Sequence, residues 1–197
     1  MPQQILIMSY FLSITGSPTK FSKSGFLLRT HRFDSRGSRN RFPCHPRLRL
    51  DLPPHEPETC RVEAQFVADA IEQIELATAI LIVIPANKES TPALLISLLN
   101  LLPNGLFSRK PVLLFVTGGF PGHVAFLELG LSGLLFRLGT KALAARVHIG
   151  TGSWIIVGDD RPRLSRAAER EVAGAIDLVL QVVKPEAGVG REVGSRN

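Results

Sequence analysis

Three short stretches of the chain are predominantly apolar: residues 5 to 15, 79 to 84 and 112 to 117. Continuous rather than alternating apolarity predicts strands covered on both faces, as in a parallel sheet. Between them the period changes. Residues 62 to 76 place Val62, Phe66, Ala70 and Ile74 at helical spacing and leave Glu63, Asp69, Glu72 and Glu75 for solvent, which predicts an amphipathic helix. Thr91 followed by Pro92 reads as an N-cap with proline at the first helical position, and residues 93 to 102 are apolar nearly all round until Pro103 stops the run. Residues 124 to 138 and 166 to 183 are further helices by the same reasoning. Residues 146 to 149 and 154 to 157 read as a split or extended final strand, closed by the turn Gly158-Asp159-Asp160.

The resulting order, strand then helix throughout, predicts a doubly wound α/β fold with five parallel strands and helices on both faces. Residues 31 to 60 are rich in Arg and Pro and offer one short strand candidate, residues 47 to 50, so an irregular connection is expected there. Residues 185 to 197 hold three glycines among charged residues and no apolar face, which predicts a flexible tail after a single domain spanning 1 to 184.

Composition adjusts this picture in three places. With 197 residues, 45% of them hydrophobic, the chain suits one well-buried domain. The net charge of +6 is local, because residues 20 to 50 carry nine Lys or Arg against Asp34 alone. Such a segment suits an anionic partner or is a solvated loop. The aromatic residues of the Arg-rich stretch at 31 to 60, Phe33 and Phe42, do not form an interleaved stacking platform, so nucleic acid is not the favoured partner. Cys44 and Cys60 match no zinc spacing, so we expect free thiols in a reducing cytoplasm and no metal site. The apolar start lacks a basic n-region and is too short to cross a bilayer.

Chemistry is expected where strands end. Gly16-Ser17-Pro18-Thr19, continuing through Ser22-Lys23-Ser24, follows the first strand and precedes a helix-like segment. Free backbone N–H groups at a helix start, with Ser, Thr and Lys donors, favour a phosphomonoester. The segment has neither the Walker spacing nor a dinucleotide fingerprint, and a polar turn capped by serines is equally compatible with it. Pro85-Ala86-Asn87-Lys88 and Thr117-Gly118-Gly119 follow the next two apolar strands, which puts all three loops at the carboxyl edge, where open α/β sheets bind ligands. Taken alone, His123 reads as a surface or capping histidine, His148 as a satisfied strand residue and Trp154 as core packing.

These residues together resemble the NAD(P)H-dependent FMN reductases of the flavodoxin-like class, especially those that supply reduced flavin to alkanesulfonate monooxygenases. The resemblance is strongest from residue 74 to 160. It rests on the strand before Pro85, on Asn87-Lys88, on Ser97-Leu98-Leu99-Asn100-Leu101-Leu102-Pro103, and on Thr117-Gly118-Gly119 with His123. Gly16-Ser17-Pro18 and Ser22-Lys23-Ser24 are similar to the family's phosphate loop, with Thr19 and Lys23 standing where arginines are usual. Ala86-Asn87 stands where Val-Tyr is common, Pro92-Ala93 where Ser-Gly is common, and Leu129 where some relatives have Tyr.

The resemblance implies a flavodoxin-like fold and an FMN phosphate held by Ser17, Ser22, Lys23 and Ser24, with Thr19 in the same loop. It further implies an isoalloxazine ring near Pro85, Ala86, Asn87, Lys88, Thr117, Gly118 and Gly119, with His123 as a flavin contact. NAD(P)H is then the co-substrate, and no catalytic side chain is required because hydride transfer is cofactor chemistry. Three alternatives stay open: a flavoenzyme reducing quinones, azo dyes or metal oxyanions, a flavodoxin-like binding module without activity, and, less favoured, nucleic-acid binding. A flavin-dependent monooxygenase is the expected recipient of reduced FMN. The apolar helices at 93 to 102 and 124 to 138 carry more apolar surface than one sheet face covers, so a homodimer or homotetramer is expected.

Overall fold

The computed structural model describes residues 11–15, 22–30, 48–49, 64–86, 91–157 and 161–183. Five expectations fall outside them wholly or in part: the strand residues before Phe11, most of the Arg/Pro-rich connection with both cysteines, the turn at 158 to 160, residues 62 and 63, and the tail.

Four strands form the parallel sheet: β1 (Phe11–Thr15), β3 (Ala79–Pro85), β4 (Val112–Thr117) and β5 (Ala145–Ile149), ordered β1-β3-β4-β5. A two-residue stretch, β2 (Leu48–Arg49), pairs in parallel with Ile14 and Thr15 on the outer side of β1. The order 2-1-3-4-5 is that of the flavodoxin-like sheets. Neighbouring residues along a strand point to opposite faces, and the core divides accordingly. Leu12, Ile14, Ile80, Ile82, Ile84, Val112, Leu114 and Val116 pack on one side, against Ala70 and Ile74 of α2 (Ala64–Leu76), Leu95, Leu98 and Leu99 of α3 (Ala93–Leu101), and Leu127, Leu131 and Leu135 of α4 (Pro121–Arg137). Phe11, Leu81, Val83, Leu113 and Phe115 pack on the other, against Leu27 of α1 (Lys23–Thr30) and Ala168, Val172 and Val179 of α5 (Arg166–Val183). With helices on both faces, the strands must be apolar throughout, and every residue of β3 and β4 is buried.

Three expectations are corrected. Trp154–Val157 (β6) does not continue β5: a single 3₁₀ turn at Thr151–Ser153 intervenes, and β6 pairs antiparallel with β7 (Arg161–Leu164) in a separate hairpin. Thr91 does not cap α3. Pro92 occupies the N-cap position without a side-chain bond, and Thr91 is buried towards α4, its hydroxyl 3.5 Å from where a Cβ on Gly130 would stand. α4 starts at Pro121 rather than at 124, since proline fits the first helical position with its φ already set. The stop at Pro103 holds: Leu102, immediately before it, is extended at φ −73°, ψ 143°, as a pre-proline residue prefers.

Two basic side chains satisfy carbonyls at helix ends. Lys110 Nζ donates to the Glu75 and Ala77 carbonyls at the end of α2, and Arg137 donates to the Leu99 and Leu102 carbonyls and to Asn104 Oδ1 at the end of α3. Carbonyls left over at a helix end are thereby satisfied. Among the described residues no helix is long and apolar enough to cross a membrane.

Candidate functional site

Parallel pairing brings the carboxyl ends of the central strands to one edge. Thr15, Val83 and Phe115 are in register across β1, β3 and β4, and Pro85, Thr117 and Ile149 across β3, β4 and β5. The ladder runs one residue beyond the strands: Ala86 N–H donates to Thr117 O at 2.8 Å and Gly118 N–H to Ile149 O at 2.8 Å. The loops that leave this edge therefore start from fixed positions.

Gly118 and Gly119 follow at φ +77° and +68°, in the left-handed region that side chains avoid. The two differ in surroundings. A Cβ on Gly118 would meet nothing within 4 Å, whereas one on Gly119 would stand 2.6 Å from Ala86 Cβ and 3.0 Å from Ala86 O. The second glycine is packed against the loop after β3, and the first borders open space. Phe120 and His123 complete the turn with their rings edge to face at 5.7 Å, as α4 begins.

The start of α1 reaches the same loop. Ser24, fully buried, lies with Oγ 2.6 Å from Thr117 Oγ1, a contact between residues 93 apart in sequence. Ser22 precedes the helix and its Oγ accepts the Gly25 N–H at 3.0 Å, the bond expected of an N-cap. Its own hydroxyl proton remains available to an anion. The N–H groups of Lys23 and Ser24, in the first turn, have no acceptor within the helix. Lys23 is exposed, with Nζ 6.0 Å from the centroid of Trp154. Phe26, one turn on, meets Trp154 edge to face at 6.2 Å.

Of the residues singled out in the sequence, the structure brings Ser22, Lys23, Ser24, Pro85, Ala86, Thr117, Gly118, Gly119 and His123 to this edge. Ser17, Thr19, Asn87 and Lys88 lie outside the described residues. Ser24 offers its backbone N–H rather than a free hydroxyl, because the hydroxyl is engaged by Thr117.

Two residues gain a place that the sequence did not give them. His148 Nε2 donates to Gly118 O at 2.9 Å, so a histidine from β5 holds the glycine turn after β4. Trp154 is more than core, since it meets both Lys23 and Phe26 of α1. Both contacts join segments far apart in sequence, and no local motif announces either.

The chain matches the sequence profile of the NADPH-dependent FMN reductases over residues 11–153. No match is found among curated protein sequences. Among solved structures it is similar to an NADH:FMN oxidoreductase (EMOB) in its apo form, at 20% identity and TM-score 0.64 over 88% of this chain and 89% of that one. It is also similar to FerB, a flavoenzyme NAD(P)H:(acceptor) oxidoreductase from Paracoccus denitrificans, at 19% identity and TM-score 0.60 over 89% and 97%. A third, an oxidoreductase from Corynebacterium diphtheriae, aligns at 13% identity and TM-score 0.58 over 90% and 98%. At these identities the structures speak for the fold, and the profile speaks for the family. Because the profile spans well over half of the chain, from β1 to the turn after β5, the chain belongs to the NADPH-dependent FMN reductase family and is a flavin oxidoreductase.

Proposed function

We propose that the chain passes a hydride from NAD(P)H to FMN bound across the carboxyl edge of the sheet. One observation carries the reading: the buried Ser24–Thr117 bond fastens the start of α1, where an anion is favoured, directly to the glycine turn after β4. A ligand with a phosphate at one end and a flat ring at the other suits two features held in that way.

The residues present fit FMN. Ser22 Oγ–H, the Lys23 ammonium and the N–H groups of Lys23 and Ser24 form a donor set for a phosphomonoester, and Ser17 and Thr19 would extend it. The open space beside Gly118 would admit a planar group against the backbone, with Pro85, Ala86, Gly119 and His123 as the neighbours we assign to it among the described residues and Asn87 and Lys88 as further contacts implied by the family resemblance. FMN, when bound, supplies the hydride acceptor. The chain's own task is to orient: His148 fixes the Gly118 carbonyl, and the contact of Gly119 with Ala86 fixes the turn after β4 against the loop after β3.

Reduced FMN would pass to a flavin-dependent monooxygenase in the cytoplasm, as the family resemblance suggests. The test is anaerobic mixing of purified protein, FMN and NADPH, followed by the loss of oxidised-flavin absorbance, with NADH in place of NADPH as a second arm. Bleaching that depends on the protein is expected. Absence of bleaching with both nucleotides would refute the reading, and turnover appearing only when a quinone is added would replace it with quinone reduction.

A further inference from the structure

The start of α1 is gripped on two sides. Ser24 and Leu27, three residues apart and both buried, pack toward the sheet, and Ser24 Oγ lies 2.6 Å from Thr117 Oγ1. Lys23 and Phe26, also three apart, share the adjacent face, and both meet Trp154. Phe26 does so edge to face with ring centroids 6.2 Å apart, and Lys23 places its ammonium over the ring, 6.0 Å from the centroid. The first grip belongs to the parallel sheet. The second comes from outside it, since Trp154 opens the separate β6–β7 hairpin.

Trp154 is itself anchored. It pairs with Leu164 across the hairpin, and one step further Ser165 N–H donates to Ser153 O at 2.8 Å. Ser165 then caps α5, its Oγ accepting the Ala168 N–H at 3.3 Å. Leu164 and Ala168 are buried in the same apolar cluster as Leu27, and the indole packs against that cluster. The ring is therefore a fixed surface, while the lysine over it is exposed. Trp154 also stands one residue beyond the stretch that the family profile matches, so the family pattern does not account for it.

An ammonium on a flexible four-carbon stem samples many rotamers, and a ligand that needs it in one place meets the cost of fixing it. A tryptophan face attracts the cation through the ring quadrupole and, unlike a carboxylate, leaves its charge free for a ligand. Helical side chains lean toward the N-terminus, so Lys23, the first residue of α1, projects over the end where unpaired N–H groups favour an anion. The contact with Trp154 fixes the side on which it projects. We propose that Trp154 is a positioning residue, holding the Lys23 ammonium in place for the flavin phosphate before the ligand arrives. The proposal rests on the reading of this edge as an FMN site and adds to it a residue that acts through Lys23.

The test is a fluorescence titration of the full chain with FMN and with riboflavin, for the wild type, Trp154→Leu, Trp154→Phe, Lys23→Ala and the double variant Lys23→Ala/Trp154→Leu. Leucine keeps an apolar side chain against the core and removes the π face; phenylalanine keeps a π face. Trp154→Leu is expected to weaken FMN binding about two- to fivefold, the worth of one exposed cation–π contact, and to leave riboflavin binding unchanged. Trp154→Phe should recover part of that loss. In the Lys23→Ala background Trp154→Leu should cost nothing further.

A flavin-free measurement stands beside the titration and needs no variant at Trp154. In the NMR spectrum of the flavin-free chain the Lys23 ε-methylene protons, identified by their loss in Lys23→Ala, should lie upfield of those of other lysines, because they sit over the only tryptophan of the chain. Lys23 signals at ordinary positions would overturn the proposal. So would unchanged or tighter FMN binding in Trp154→Leu, an equal loss for both flavins, or additive losses in the double variant. A wild type that prefers FMN while Trp154→Leu leaves the preference intact overturns this proposal alone. A wild type that binds FMN and riboflavin alike overturns the FMN reading, and the proposal with it.

Discussion

Two pairs of glycines lie within sixteen residues of each other and have opposite reasons for being glycine. Gly118 and Gly119 are set by backbone: both have positive φ, and Gly119 is pressed against Ala86. Gly122 and Gly133 are helical, and a Cβ on either would meet nothing within 4 Å, so neither conformation nor contact among the described residues explains them. A glycine demanded by its own fold points inward to the loop it shapes. One that nothing among the described residues requires lies on an exposed helix face. The first pair builds the candidate flavin edge, and the second marks the face of α4.

The comparison is broken most forcefully at Gly119. Gly119→Ala adds a Cβ 2.6 Å from Ala86 Cβ at φ +68°, which combines left-handed strain of about 1–2 kcal/mol with an overlap that the loop must move to relieve. We expect a total near 3 kcal/mol, a melting temperature lower by roughly 6–12 °C at about 2–4 °C per kcal/mol, and at least a tenfold loss of FMN affinity. Gly118→Ala meets no atom and carries strain alone, so calorimetry should show only about 1–2 kcal/mol of destabilisation. An equal loss at both positions would remove the distinction between them.

Ser24→Ala tests whether the helix start and the glycine turn are one unit. It removes a buried hydroxyl pair, for which a loss of about 1–2 kcal/mol is expected by denaturant unfolding. In a double-mutant cycle with Thr117→Val the two losses should not add, and additivity would mean that the bond carries nothing.

At Gly133 the sign should reverse. Gly133→Ala, whose added Cβ would meet nothing within 4 Å, should stabilise the chain by about 0.5–1 kcal/mol through helix propensity, and destabilisation there would show an internal need for glycine.

The smallest effect concerns neither pair. Burial lowers the Lys110 ammonium below its ordinary 10.5, more than Glu75 raises it. Between the lowered folded value and 10.5 the unfolded chain binds more protons, so this contribution to stability grows as pH rises through that window and is lost as pH falls back. Lys110→Met should flatten the alkaline end of the stability profile.

How much of this was legible in the sequence depended on whether the signal was local. β3 and β4 declare themselves as unbroken apolar runs, and α5 follows the period of residues 166 to 183. β7 does not: Arg161-Pro162-Arg163-Leu164 has little strand propensity, and a proline is tolerated there because the two-stranded hairpin has free edges. The departure of β6 from the parallel sheet is not legible, because residues 146–149 and 154–157 are both apolar and in line and read as one split or extended strand, with the turn at Thr151–Ser153 between them. In the site, Gly118-Gly119 was readable as a turn. The Ser24–Thr117 bond and the hold of His148 on Gly118 were not, since each joins residues that only the parallel sheet brings together.

The central claim is that the edge formed by α1 and the glycine turn binds FMN by its phosphate as well as its ring. Its most direct test is a fluorescence titration of the purified chain with FMN and with riboflavin, which lacks the phosphate. The account predicts saturable binding of FMN at least tenfold tighter than riboflavin, a margin reduced by Lys23→Ala. Equal affinity for the two flavins, or no binding of either, would contradict it.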